Sequence, residues 1–138
     1  MITVRKQELV NINDVLHLYQ AVGWTNYTHQ PQMLEKALSH SLAIYLALDG
    51  DAVVGLVRLV GDGFSSIFVQ DLIVLPSYQH QGIGSDLMKE ALEDFKDAYQ
   101  VQLVTEQTEK NLGFYRSLGF ETLSTCDCTG MIWVERKK

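Results

Sequence analysis

Residues Ser66 to Phe95 constrain this chain more than any other stretch, because a β-rich run, a loop holding Gly82 and Gly84, and an amphipathic helix pattern follow one another directly. Pro76 cannot continue a strand ladder, so the run from Ser66 stops at Leu75. From Ile83 onward, Leu87, Met88, Ala91, Leu92 and Phe95 recur at helical spacing. Asp86, Lys89, Glu90, Glu93, Asp94 and Asp97 take the opposite face. A chain built around this unit is a mixed domain in which a helix packs on a sheet.

The remaining patterns extend that sheet. Val4 opens a short strand, and Asn13 is the expected cap of a helix carrying Val15, Leu16, Leu18, Tyr19 and Val22, stopped by Gly23. Trp24 to Gln30 reads as an aromatic-bearing loop, and Pro31 suits the first turn of a second helix through Leu38. Ala43 to Leu48 and Ala52 to Val60 are strands joined by a tight Asp49-Gly50-Asp51 turn, and Gly61-Asp62-Gly63 leads into the strand from Ser66. Further strands are expected at Val101 to Thr105, Glu121 to Thr125 and Met131 to Glu135, with a short helix from Asn111 to Leu118 ended by Gly119. No linker or repeat divides the chain, so residues 1–138 read as one domain.

Size and charge narrow the classes of function. A chain of 138 residues can bury roughly two thirds of its unfolded surface and so form a real core. The net charge of −6, from 11 basic and 17 acidic residues, argues against nucleic acid and anionic membranes as partners. The longest apolar run, Ala43 to Leu48, is too short to span a bilayer, and a cytoplasmic location is the default expectation. Cys126 and Cys128 are the two cysteines, and without a second ligand pair no metal site is expected. Two residues apart in a strand, they would lie side by side.

The loop carries the chemistry. A helix start has N–H groups without intrahelical partners and a partial positive charge, which suits it to phosphate. Gly82 and Gly84 remove side chains there, so the amides of Gln81 to Ser85 could converge on a pyrophosphate. A plain strand–helix connection explains the same glycines equally well. Dinucleotide binding is a third reading, with Glu106 where a ribose-binding acid would sit, but Leu87 stands in place of the third glycine and too few residues follow for that fold.

Here the chain resembles the GCN5-related N-acetyltransferase (GNAT) family, whose signature Gln/Arg-x-x-Gly-x-Gly/Ala lies between a strand and a helix. Gln79-His80-Gln81-Gly82-Ile83-Gly84 matches every fixed position, with His80 where many members carry glycine. Pro76 three residues earlier, Asn111 and Tyr115 downstream, and Leu118-Gly119-Phe120 extend the resemblance over roughly the second half of the chain. It implies an α+β, GNAT-like fold: a mostly antiparallel twisted sheet of about six to seven strands with a splayed pair, flanked by about four helices.

The resemblance also implies a site. Coenzyme A would lie in the splay between the strands ending at Leu75 and Thr105, with its pantetheine amides on the backbone near Ile73 and Val74. Gln79, His80, Gln81, Gly82, Ile83, Gly84 and Ser85 would hold the pyrophosphate, with Asn111 also on the coenzyme side. In the family the tyrosine matching Tyr115 often bonds the coenzyme sulfur and protonates the departing thiolate; a core tyrosine is the plainer reading. Trp24, Tyr27 and His29 fall in the loop that usually shapes the acceptor pocket, where Trp24 could equally be a packing residue.

An amine of lysine type, with a pKa of about 10.4, is mostly protonated at neutral pH, so something must accept its proton. Asp71, a carboxylate in an apolar run, is one candidate; Glu106 or a water is another, and Asp71 could equally be a hydrogen-bonded structural residue. The expected activity is acetyl transfer from acetyl-CoA to a small-molecule or peptide amine by direct attack, without a metal. The alternative is a non-catalytic acyl-CoA sensor or interaction module of the same fold. The pattern leaves a homodimer open.

Overall fold

The computed structural model describes residues 1–134. The chain falls into two compact units, Met1–Val104 and the part from Thr105 onward.

The first unit is a five-stranded sheet in the order β1 (Ile2–Lys6), β2 (Ala43–Asp49), β3 (Ala52–Gly61), β4 (Ser66–Val74), β5 (Gln100–Leu103). The first four strands are antiparallel neighbours, and β4 pairs with β5 in parallel. The hairpin between β2 and β3 closes on Gly50 and Asp51, with Asp49 opposite Ala52. Residues Ala43 to Leu48 of β2 are all buried, because both faces of the sheet are covered.

Helices α1 (Ile12–Ala21), α2 (Thr25–Thr28) and α3 (Pro31–Ser39) contribute Val15, Leu18, Tyr19, Tyr27, Leu34 and Leu38 to one core layer. These pack with Ile44, Leu46, Leu48, Leu56 and Ile73 from the sheet. Asn11, not Asn13, caps α1: its Oδ1 accepts the N–H of Asn13 at 2.8 Å, so the helix starts two residues earlier than expected. The expected loop after Gly23 contains α2, a single turn.

Helix α4 (Ile83–Asp94) packs on the sheet through Ile83, Leu87, Met88 and Ala91, as its apolar spacing predicts. Leu87 and Met88 are fully buried, worth on the order of 1.5–3 kcal/mol each. The close approach needs a glycine in β3. A Cβ on Gly55 would lie 3.1 Å from the Ile73 carbonyl oxygen, 3.2 Å from a Leu87 methyl and 3.3 Å from the Ala47 Cβ.

The second unit holds α5 (Glu109–Ser117), capped by Thr108, and a 3₁₀ turn at Leu123–Cys126. Neither of the last two expected strands is present among the described residues. Thr125 donates its hydroxyl to the Thr122 carbonyl, and Asp127 turns left-handed at φ 57°, so local side-chain bonds coil the stretch instead. Met131 to Val134 are exposed with no ladder partner, and Glu135 lies outside the described residues. The sheet therefore has five strands and the described chain five α-helices, against the six to seven and four expected. Cys126, the last residue of that turn, and Cys128, two residues on, are exposed free thiols and are not strand neighbours.

Gly55→Ala should lower unfolding stability by about 1–3 kcal/mol, since the methyl meets backbone on one side and a packed helix on the other. Urea titration should report a lower midpoint with an unchanged slope.

Candidate functional site

Strand β4 changes its surroundings along its length. From Ser66 to Val69 it is bonded to β3 on one side and to β5 on the other, the parallel register running Ser66↔Gln100 to Val69↔Leu103. Beyond Val69 the β5 ladder has ended, while the β3 ladder continues to Val74 opposite Gly55. The second half of β4, with Ile73 and Val74, thus presents one unpaired edge to its open side. The Leu75 N–H donates to the Val54 carbonyl on the β3 side at 2.9 Å. A trans peptide then points the Val74 carbonyl to the open side, where it accepts from Gln79 Nε2 at 3.1 Å. Gln79 braces the loop onto the strand through this bond.

The loop rises through a 3₁₀ turn at Pro76–Tyr78 and reaches α4 by two left-handed residues. Gly82, at φ 82°, is the N-cap of α4, and among the described residues no side chain caps the first turn. α1 and α5 have such caps, from Asn11 Oδ1 and Thr108 Oγ1. A Cβ at Gly82 would meet nothing within 4 Å, so the space over the loop is open and its backbone angle is what requires glycine. The first turn, Ile83, Gly84 and Ser85, therefore offers amides without side-chain acceptors beside the positive end of the helix dipole. His80 sits at φ 65°, a conformation that a side chain adopts at a cost of about 1–2 kcal/mol. The His80 ring and the Gln81 side chain are both exposed, and neither caps the helix.

Asp71 has a different place from the one anticipated. It is 3% exposed, and both of its oxygens are occupied: Oδ1 accepts from Tyr27 Oη at 3.0 Å, and Oδ2 accepts from Tyr19 Oη at 2.9 Å and from Arg58 Nε at 2.7 Å. Enclosed in this way, with both oxygens engaged, Asp71 anchors a buried ion pair instead of standing open to the loop. Arg58 lies directly opposite it in the β3–β4 register, itself 4% exposed. Arg58 Nη2 donates to Tyr27 Oη at 3.1 Å and Nη1 to Ser41 Oγ at 3.2 Å. Burial lowers the pKa of the guanidinium, but the charge and hydrogen bond of Asp71 outweigh it and the net movement is upward. Burial, reinforced by Asp71, raises the hydroxyl pKa values of Tyr19 and Tyr27.

The structure thus joins Tyr27 and Asp71, which the sequence places in separate roles, and adds Tyr19 and Arg58 to them. Arg58 had a signal: like Asp71, it is a lone charge in an apolar strand, and two such charges on neighbouring strands call for pairing. Trp24 packs edge-on against Tyr19, with ring centroids 6.1 Å apart, and tilted against Tyr27 at 6.3 Å, half-buried beside the cluster.

In the second unit, Asn111 braces its own segment, donating Nδ2–H to Thr105 Oγ1 at 3.1 Å. Tyr115 lies one turn further along α5, edge-to-face with Phe114 at 4.9 Å and Phe120 at 6.0 Å. Burial raises the Tyr115 pKa, which keeps its phenol protonated at neutral pH. The described residues gather no group of three or more metal-ligating side chains. No helix among them is long and apolar enough to cross a membrane.

Comparison with known proteins points one way. Residues 40–122 match the family model described as an acetyltransferase (GNAT) domain. A GNAT-family acetyltransferase structure from Streptococcus pneumoniae TIGR4 superposes with a TM-score of 0.92 at 78% identity, covering 99% of this chain and 100% of that one. The chloroplastic GCN5-related N-acetyltransferase 1 of Arabidopsis thaliana is 28% identical over 138 residues, 97% of this chain and 68% of that protein. The fold is also that of the PaiA N-acetyltransferase of Thermoplasma acidophilum in complex with coenzyme A, at TM-score 0.66, 19% identity, 86% of this chain and 90% of that one.

Two outcomes follow. His80→Gly should raise stability by about 0.5–1 kcal/mol, the strain released less the added freedom of the unfolded chain, seen as a melting point a few degrees higher. Tyr19, Tyr27, Tyr45 and Tyr115 all have folded pKa values raised by burial above the ordinary value of about 10. A raised pKa contributes stability that is complete below the unfolded value and lost as pH climbs through the folded one. Urea midpoints should therefore hold steady to about pH 10 with respect to these groups and fall beyond it.

Proposed function

The chain belongs to the GNAT family of acetyltransferases, and from that membership we propose that it moves the acetyl group of acetyl-CoA onto a primary amine by direct attack of the nitrogen on the thioester. The observation that carries this reading is the uncapped first turn of α4, placed where β4 has lost its parallel neighbour. Amides without acceptors and an open strand edge suit the two polar parts of one ligand, a diphosphate and a chain of amides. Residues 1–138 are taken to act as one domain, in keeping with a family match that runs from 40 to 122 across both compact units.

In this reading the backbone of Gln81 to Ser85 holds the diphosphate, and the edge of β4 at Ile73 and Val74 receives the pantetheine amides. Gln79 keeps the loop closed on the strand. His80 shapes the loop, and Asn111 orders the start of the second unit. Acetyl-CoA supplies the activated acyl carbon when bound. As the C–N bond forms and the C–S bond breaks, Tyr115 Oη gives its proton to the departing sulfur. A water takes the proton released by the amine, the role that Asp71 is too enclosed to fill. Trp24 and the α1–α2 connection line the acceptor side, where an aromatic ring can cover an amine's carbon skeleton or meet its charge. The net charge of −6 favours cationic acceptors.

A panel of amines assayed by release of free coenzyme A thiol tests the proposal, with Tyr115→Phe alongside. The variant should bind coenzyme A like the wild type and lose about 10²-fold or more in turnover. A wild type that binds coenzyme A with micromolar heat yet releases thiol with no amine would favour the sensor reading instead.

A further inference from the structure

We propose that the buried Arg58–Asp71 pair is a positioning unit for the acceptor side of the site: through the Tyr27 hydroxyl it sets α2, and with it Trp24, where the amine is received. The inference rests on the reading that the α1–α2 connection shapes the acceptor site, and it names the interaction that holds that connection in place.

Helix α2 has four residues, a single turn, and its N-cap Trp24 makes no side-chain capping bond. One turn does not sustain itself in water, so tertiary contacts must fix it. Tyr27 supplies them. It is the buried residue of α2, its ring lies edge-on to Tyr19 with centroids 5.0 Å apart, and its hydroxyl is held from two directions. The hydroxyl donates to Asp71 Oδ1 and accepts from Arg58 Nη2, which uses its one hydrogen and one of its two lone pairs. Turning Tyr27 outward would leave a carboxylate oxygen and a guanidinium N–H unpaired in the interior, so the ion pair defines one orientation of α2.

The same two side chains reach further. Asp71 accepts from Tyr19 of α1, and Arg58 donates to Ser41, whose own hydroxyl donates to the Ala37 carbonyl in the last turn of α3 at 2.7 Å. A guanidinium and a carboxylate on neighbouring strands therefore index all three N-terminal helices to the sheet. Stability alone is a poor reason for such a pair, because desolvation offsets most of the attraction and an apolar pair of similar volume is often as stable. Directional bonds do what an apolar pair cannot: they select one placement of α2.

Two variants test this. Tyr27→Phe keeps the ring and removes the tether; Arg58→Met with Asp71→Leu replaces the charged pair by apolar side chains and controls for folding. Each is first checked for cooperative thermal unfolding. Amine KM, kcat and the dissociation constant for coenzyme A are then measured separately, together with amide hydrogen exchange of residues 24–30. Both variants should raise amine KM by about tenfold, the worth of roughly one hydrogen bond. Coenzyme A affinity should stay within about twofold. Exchange at residues 24–30 should quicken, while that of α4 stays as in the wild type. A purely structural pair would move all constants together or none. Unchanged amine KM in either folded variant of an active enzyme would overturn the proposal, as would unchanged exchange at 24–30. A wild type silent toward every amine would overturn the transfer reading itself, and the exchange result would still decide whether the tether exists.

Discussion

Strand β4 cannot satisfy its backbone on both sides along its whole length, and the candidate site follows from that shortfall. Its parallel partner ends opposite Val69, while its antiparallel partner runs on to Val74. Backbone N–H and C=O groups are obligatory hydrogen-bonding groups, so an edge opened within a sheet must find water, a side chain or a ligand. Gln79 meets one carbonyl of that edge. The loop beyond adds a second set of open groups, since Gly82 at φ 82° starts α4 without a side-chain cap. Unmet donors and acceptors gathered over one strand end are a physical basis for binding a long polar ligand.

The same strand organises its buried face by the opposite principle, complete satisfaction. Asp71 sits among Ile67, Val69 and Ile73 in the alternation of β4, and its charge is balanced by Arg58 across the ladder and by two tyrosine hydroxyls. No buried side-chain nitrogen or oxygen is left without a partner among the described residues. One strand therefore carries an open polar edge outward and a closed polar cluster inward. A charge in an apolar run is equally consistent with a catalytic group and with a buried pair, and only the positions of Arg58, Tyr19 and Tyr27 decide between them. Tyr115 raises the same question on α5: burial among Phe114 and Phe120 raises its pKa, which suits a proton donor as well as a packed ring.

Much of the architecture was legible in short-range pattern. The Asp49-Gly50 turn, the proline that ends the run from Ser66, and the apolar stripe of Leu87, Met88 and Ala91 each state their structure within a few residues. The glycine loop before that stripe stood out for the same reason. Less legible were α2, whose single turn has no repeat to read, and the stretch after Glu121, where β-prone residues were outweighed by hydroxyl bonds to nearby backbone and a left-handed Asp127.

By itself the sequence determined the order of elements from β1 to α5 apart from α2, the open glycine turn and the family signature, because each depends on residues close together along the chain. Tertiary structure alone decided that Asp71 meets Arg58, Tyr19 and Tyr27, which lie 13, 52 and 44 residues away, and that β4 outruns its parallel neighbour. Charges, hydroxyls and strand edges have no preferred partner until folding brings a distant one within hydrogen-bond reach, and desolvation then makes that partner obligatory.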